Sequence, residues 1–411
     1  MLRWSQPPPW LFGITNIPLG VVSGYTSVAM PFILRQAGVP VATIASASAA
    51  MLLPLAYQFL WAPLLDLGLQ RRSWLILMAA GSGLMVAASL MLKLPDQLPA
   101  YVACCLGAQA LSGMVSASNG ALIATRLPAA VFGRASGWLN AAYLGGNALG
   151  GGLALELVTD VGKPAAGLAL GLLCVLPALA ALTLSAQAPQ RGSPAALVGG
   201  MLREVWATAR TRRGWTGILF CIAPVATPAL LDLFSAIGED YHAAAGTVEL
   251  SMGYASGLVT AVGALGCGRL LDRVNRRYAY LFSGVLLAAV DIAMACAPAT
   301  PSTYVAGTVA YSLVAGICFA AFSAMVLEII GNAEHSAASQ YTLFDCAGNM
   351  ATSYLAWIDG HGYDFFKARG VAGAAGMLFT DAGMNLAGAA GLLALMWFAY
   401  NGRRRASAEP T

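Results

Sequence analysis

Charged side chains are scarce in this 411-residue chain: Asp, Glu, Lys and Arg make up 10% of it, against 58% hydrophobic residues. Soluble domains carry roughly 25% charged residues, so a water-soluble core of this size is excluded. Histidine is nearly absent; His242, His335 and His361 all fall in predicted loops. The eight cysteines (104, 105, 174, 221, 267, 296, 318 and 346) lie within or at the ends of apolar runs, without CxxC or Cys/His metal spacing. They read as small core residues, not disulfides or ligands. No Ser/His/Asp set or metal cluster is recognisable, so neither an enzyme nor a cofactor is expected. GGNALGGG at 145–152 lacks the Lys-Ser/Thr of a phosphate loop and reads as a surface for close helix approach. The basic loops fit membrane topology better than nucleic-acid binding.

What the chain has in abundance is apolar runs of about 20 residues, the length that crosses a bilayer. Twelve can be marked, at about 10–34, 41–65, 73–92, 98–125, 134–157, 164–186, 215–237, 248–271, 278–297, 303–331, 337–358 and 375–400. The first has no small-residue cleavage exit and reads as a retained span. The longest polar break, 187–213, splits the chain near its middle. Val198, Met201, Leu202 and Val205 recur there at helical spacing, which predicts a short amphipathic helix on the membrane surface. The expected organisation is a first bundle over 1–186, a linker over 187–213 and a second bundle over 214–411.

Charge orients the spans. Seventeen of the 22 basic residues fall on the side that holds both termini and the even-to-odd loops, and five on the other. The positive-inside rule then places both termini in the cytoplasm. The two halves also echo one another. Asp66 ends FLWAPLLD and precedes Arg71 and Arg72; Asp272 ends GCGRLLD and precedes Arg273, Arg276 and Arg277, 206 residues on. RASGWLNAAYLGGN at 134–147 pairs with AASQYTLFDCAGN at 337–349. A six-helix repeat implies two bundles with substrate bound between them near the midplane.

Twelve helices in a 6+6 repeat, with G-x-x-x-D-R-x-x-R-R at 268–277, resemble the major facilitator superfamily. Within it, FLWAPLLD (59–66), SASN (116–119), Leu127-Pro128 and the AASQ start of span 11 look like the AmpG-type permeases. In size the chain is similar to the RhtX/FptX group of ferric-siderophore permeases. The fold class implied is an all-α polytopic membrane protein, twelve transmembrane helices in two six-helix bundles. The resemblance also implies a bacterial inner-membrane location and a monomer. It departs from the AmpG pattern in span 4, where Gly120 and Ala124 stand in place of aspartates.

The aspartate-arginine loops are candidate gates. Asp66 or Asp272 at a helix end can face the N-terminus of a helix in the opposite half, where the dipole favours an anion. The neighbouring Arg71, Arg72, Arg273 and Arg276 can bond carbonyls or a carboxylate. The same pattern also serves as a topogenic basic loop. Glu328, near the end of span 10, is the expected partner of Arg273. The first copy lacks both members of that pair: Leu67 replaces the arginine, and 121–125 holds no acid.

Ionisable groups within spans are costly and are candidates for function. Asp345 is the foremost: Tyr341, Asp345 and Asn349 share one face of span 11. Asn140, Tyr143 and Asn147 form the repeat-related face of span 5, and both faces also suit interhelical hydrogen bonding. Asp232 follows Pro224 and Pro228, which predicts a kink in span 7. Asp291, in a peripheral span, ranks below these. Asn16 in span 1, Tyr57, Gln58 and Trp61 in span 2, and Gln109 and Asn119 in span 4 complete the expected substrate and proton pathway.

No lysine or arginine lies mid-span, which disfavours polyanionic ligands that need such groups. The expectation is a proton-coupled secondary importer, foremost of a ferric siderophore. The alternatives are an importer of muropeptide or another peptide-like solute, and a non-transporting membrane sensor. The expected partners are the solute, protons and the lipid bilayer.

Overall fold

The computed structural model describes residues 7–61, 64–65, 69–185, 199, 203, 206–207, 210–331 and 337–406. These form twelve membrane-crossing segments. In the first half of the chain, span 1 is Pro9–Gln36. Span 2 is the broken series Val41–Ala50, Leu53–Ala56 and Gln58–Leu60, span 3 is Arg71–Met91, span 4 is Leu98–Arg126 and span 5 is Phe132–Asp160. Span 6 is Lys163–Thr183. The second half begins with span 7, Arg212–Ile222 followed by short 3-10 turns as far as Tyr241. Span 8 is Gly246–Leu271. Spans 9 to 12 are Arg276–Cys296, Pro301–Ile330, Ala337–Lys367 and Gly373–Ala406. The amphipathic helix expected around Val198–Val205 falls largely outside the described residues.

Local sequence sets the ends of these helices. Asn275 caps span 9, its Oδ1 accepting from Arg277 N at 3.1 Å. Thr300 caps span 10, immediately before Pro301 in the first helical position. Span 7 does more than kink. Pro224 and Pro228 lack donors and push the residues before them out of the helical region. The helix stops at Ile222, and Ala226 adopts a left-handed φ of 54°. Its N–H is satisfied from span 12, by Asn385 Oδ1 at 2.8 Å.

The interruptions fall on corresponding spans of the two halves. Span 1 carries a π-helical turn at Tyr25–Ala29 and span 7 the unwound stretch. Span 2 is broken by 3-10 turns, and span 8 opens with a π-helical stretch, Glu249–Ala255. Paired breaks of this kind mark the business region of membrane transporters.

Span 3 packs on spans 4 and 6, and spans 9 and 11 pack on span 12. Leucines such as Leu84 and Leu168, and Phe282, stay exposed on this periphery, the face that meets lipid. Between the halves, span 5 packs along spans 8 and 10, and span 11 along spans 2 and 4. Glycine makes the first of these contacts close. A Cβ added to Gly133 would lie 2.6 Å from the Gly268 carbonyl oxygen, and one added to Gly137 would lie 2.7 Å from that of Ala264. Small residues four apart on both helices let the backbones touch.

Candidate functional site

Two polar layers join the halves at the end that carries the arginine loops. In the outer layer, Asp272 closes span 8 and meets the first turn of span 5. Its Oδ2 accepts from Arg134 Nε at 2.6 Å, and its Oδ1 from the Arg134 backbone N–H at 3.2 Å. That backbone donor is one of the unpaired N–H groups of a helix start, so the carboxylate acts as a cap supplied from the opposite half. This is the arrangement the repeated aspartate predicts. Asp66, its counterpart, lies outside the described residues.

The expected Arg273–Glu328 pair is not formed. Arg276 takes the role, with Nη1 2.6 Å from Glu328 Oε2. Arg273 sits in the exposed turn after span 8, whereas Arg276 opens span 9 and is buried against span 10. Helix geometry, not proximity to the aspartate, selects the arginine. Arg276 Nη2 also donates to the Ala129 carbonyl in the loop between spans 4 and 5. Its guanidinium stands 5.7 Å from the Phe132 ring centroid. It therefore ties three elements across both halves. Arg72 behaves differently: it donates to Leu184 O at 2.6 Å and to Gln70 Oε1 at 2.9 Å, both within the first half. Arg126 does likewise, donating from Nη2 to Ser185 O at 2.6 Å. These two close off the carbonyl end of span 6. Arg71 is buried beside them.

The inner layer lies about a third of the way along the spans from the same end, at 1.5 Å per residue. Gln58 Nε2 donates to Asp345 Oδ2 at 2.6 Å, joining span 2 to span 11. Gln58 Oε1 and the Trp61 indole N–H are buried and have no hydrogen-bond partner. Cys346 Sγ meets the Leu55 carbonyl at 3.5 Å. Tyr341, one turn before Asp345, is buried with its hydroxyl within reach of Ser323 and Ser116. Asn140 Nδ2 reaches Ser323 Oγ at 2.9 Å and Phe319 O at 3.3 Å, and Ser136 Oγ reaches Ala320 O at 2.9 Å. Spans 2, 4, 5, 10 and 11 thus meet in one polar seam.

The seam also explains a departure in the sequence. A Cβ on Gly120 would lie 2.5–2.8 Å from the Tyr341 ring carbons. An aspartate at this position would occupy the slot that Tyr341 fills.

The remaining predicted residues divide. Asn16 and Asn119 are fully buried and bonded to one another: Asn119 Nδ2 to Asn16 Oδ1 at 3.3 Å, Thr15 Oγ1 to Asn119 Oδ1 at 2.7 Å, and Asn16 Nδ2 to Leu139 O at 3.1 Å. Gln109 is held by Ser23 and Thr26. All three stitch spans 1, 4 and 5 together. Tyr143, Asn147 and Asn349 are half-buried, and Tyr57 is exposed. Asp232 closes the first 3-10 turn of span 7; its side chain lies outside the described residues. Ser116 appeared in the sequence only as part of the SASN motif. Ser136 appeared only as a repeat-paired position, and Ser323 gave no signal at all. Spans 5 and 10 meet across the repeat, a pairing that a span-by-span reading does not supply.

Away from the arginine loops the contact between spans 5 and 8 loosens. At Gly257 an added Cβ would make only ordinary contacts with Leu144 and Ala148, at 3.5–3.7 Å. Beyond it opens a crevice of about 550 Å³ lined by Phe32, Ala148, Leu149, Leu153, Glu156 and Leu258.

This architecture is shared with solved transporters. The human organic anion transporter MFSD10 (TETRAN) superposes with a TM-score of 0.71 at 17% identity, over 94% of this chain and 100% of that one. The proton:xylose symporter XylE, bound to 6-bromo-6-deoxy-D-glucose, gives 0.68 at 12% identity over 93% of both chains. FucP in its outward conformation gives 0.66 at 14%, over 95% of this chain and 99% of that one. At these identities the likeness establishes the fold. A search of curated protein sequences finds no match. The family model of the Major Facilitator Superfamily matches residues 12–356, and the chain belongs to that superfamily of multi-pass membrane transporters.

Proposed function

We propose that the protein is a proton-coupled importer of a weakly charged organic solute, with the arginine loops and both termini in the cytoplasm of a bacterial inner membrane. Residues 1–186 and 214–411 move as two bundles, exposing the site between them to each side in turn. The conformation described is the one closed toward the cytoplasm. The observation that carries the reading is the Gln58–Asp345 contact. A titratable carboxylate binds across the two halves at 2.6 Å, beside a buried Gln58 Oε1 and a Trp61 N–H that lack partners. Unsatisfied buried polar groups are costly, and a bound solute can satisfy them. Protonation of Asp345 weakens its hold on Gln58, which links proton binding to separation of the halves. Two fold neighbours support the coupling: XylE is a proton:xylose symporter, and FucP is a fucose:proton symporter of E. coli.

The solute we put first is a ferric siderophore, the class implied by resemblance to the RhtX/FptX group; a muropeptide is its competitor. The absence of mid-span cations supports a ligand without multiple negative charges. The test is uptake of radiolabelled ferric siderophore and of muropeptide by a deletion strain. The strain is complemented with the wild-type gene, with Asp345→Asn, or with the Asp232→Asn/Asp345→Asn double variant. The reading expects saturable siderophore uptake that collapses with the pH gradient and in the double variant. Full gradient-driven uptake by the double variant overturns the assigned proton route. Uptake of muropeptide alone transfers the site to that substrate.

A further inference from the structure

The second half contains a group of acids that the proposed pathway does not use. Asp291 on span 9, Asp359 on span 11 and Asp381 on span 12 are each 0% exposed. The Asp381 carboxyl lies within hydrogen-bonding reach of both Asp291 and Asp359. Both oxygens of Asp291, both of Asp359 and Oδ1 of Asp381 have no donor bonded to them. The other titratable groups facing the cluster are Tyr311 and Cys318 of span 10. Tyr311 OH is 3.5 Å from Asp381 Oδ2. No lysine, arginine or histidine faces the three acids among the described residues.

Three carboxylates cannot share one dry pocket as three bare anions, because desolvation and mutual repulsion both oppose it. Positive charge must be held there. Among the described residues no set of three His, Cys, Asp or Glu side chains has metal-ligand geometry, which leaves the proton. A proton on one carboxylate supplies the missing donor: its O–H bonds to the carboxylate beside it.

The cluster is wired to the unwound stretch of span 7. Asn385 Nδ2 donates to Asp381 Oδ2 at 3.2 Å, while its Oδ1 accepts the N–H of Ala226, the residue with positive φ, at 2.8 Å. Tyr311 OH accepts from Leu230 N at 3.3 Å. Both ends of the break in span 7 thus hang on groups that touch Asp381.

We infer that Asp291, Asp359 and Asp381 form a second proton-binding site, occluded in the cytoplasm-closed conformation, whose loading and release are coupled through Asn385 and Tyr311 to the shape of span 7. On release an O–H bond breaks, the proton passes to water, and the uncovered carboxylate charge requires hydration. Hydration requires the break in span 7 to move. The site rests on the transporter reading only for its role in the cycle; its protons are present whatever the solute.

The experiment uses the full chain in lipid nanodiscs and has two arms. Infrared spectra across neutral pH, in H2O and D2O, compare wild type with Asp291→Asn, Asp359→Asn and Asp381→Asn. The expected result is a protonated-carboxyl C=O band that shifts on deuteration and loses intensity in these variants. It should persist in Asp345→Asn, apart from that residue's own share. In the second arm, spin labels at Ala130 and Val274, both exposed at the arginine end, report the distance between the halves. They are placed in a Cys104→Ala, Cys296→Ala background. Wild type should shift its distance distribution with pH, and Asp381→Asn and Asp291→Asn should reduce that shift, leaving only the share carried by Asp345. Absence of the band overturns the site. A band with an unchanged pH response in the variants overturns its coupling. A distance shift that follows NaCl against choline chloride rather than pH replaces the proton by a metal cation. Failure of siderophore and muropeptide uptake touches neither arm.

Discussion

Replacing Arg276 by alanine removes a guanidinium that touches spans 9 and 10 and the loop leading into span 5. Its contacts divide by what they hold. The pair with Glu328 at 2.6 Å lies within the second half and contributes to the stability of that half alone. The bond to the Ala129 carbonyl and the contact with Phe132 cross between the halves, so they bias the closed conformation. A hydrogen bond from a charged donor is worth about 1.5–3 kcal/mol, and an exposed cation–π contact about 0.5–1 kcal/mol. Water at the opened gate would rehydrate the guanidinium, so a net bias of about 2 kcal/mol is reasonable, or roughly a 30-fold change in the closed-to-open ratio. The assay is the distance distribution between labels at Ala130 and Val274, measured without substrate. Arg276→Ala should raise the long-distance population about 30-fold relative to the short one. Glu328→Gln should lower thermal stability and leave the distribution nearly intact. Arg273→Ala, at an exposed turn, should do neither. An unchanged distribution in Arg276→Ala, or an equal response to Arg273→Ala, refutes the assignment of the gate.

Asp272→Asn keeps the shape of the interhelical cap but loses its charge, and should raise the long-distance population by about 1–2 kcal/mol in the same measurement. Gly133→Val places a branched side chain where even Cβ would sit 2.6 Å from the Gly268 carbonyl. Overpacking of about 1–3 kcal/mol should shift the protein away from the closed state, which thiol labelling at the arginine end would detect. Gly120→Asp should abolish normal folding or uptake by displacing Tyr341, and Tyr341→Ala in the same chain should recover expression; failure of recovery removes the steric account. Asn385→Ala strands the Ala226 N–H and should cost about 1–3 kcal/mol in detergent thermal unfolding. Arg72→Ala should loosen the end of span 6 without altering the gate distance.

The parts legible in the sequence were those that repeat or that follow one helix face. Apolar length placed the spans, and the repeated aspartate placed Asp272 at a helix start. The i, i+4 spacing of Tyr341 and Asp345 put them on the inter-half face. The choice of Arg276 over Arg273 was not legible, because it depends on where span 9 begins and on the side chain aiming back at span 10. Asn16, Gln109 and Asn119 lie on the expected helices, yet Asn16 and Asn119 bond one another and Gln109 bonds Ser23 and Thr26, all within the first half. A polar stripe looks the same whether it faces a cavity or another stripe. The Asp291–Asp359–Asp381 group was hidden for a related reason: its members come one each from three spans, and each alone reads as an isolated polar residue.

The glycine contact between spans 5 and 8 also fixes how far the molecule can reach. Span 5 has 29 residues, so it is about 44 Å long at 1.5 Å per residue. While the arginine end stays closed, with the Gly133–Gly268 contact as fulcrum, a tilt of about 10° swings the far end by roughly 8 Å over that length. Backbone touching backbone gives that fulcrum almost no compliance, so a small rotation is delivered at full stroke to the opposite face. Bulkier residues at the pivot would pad the joint, and the same rotation would be absorbed before it opened a passage for a solute.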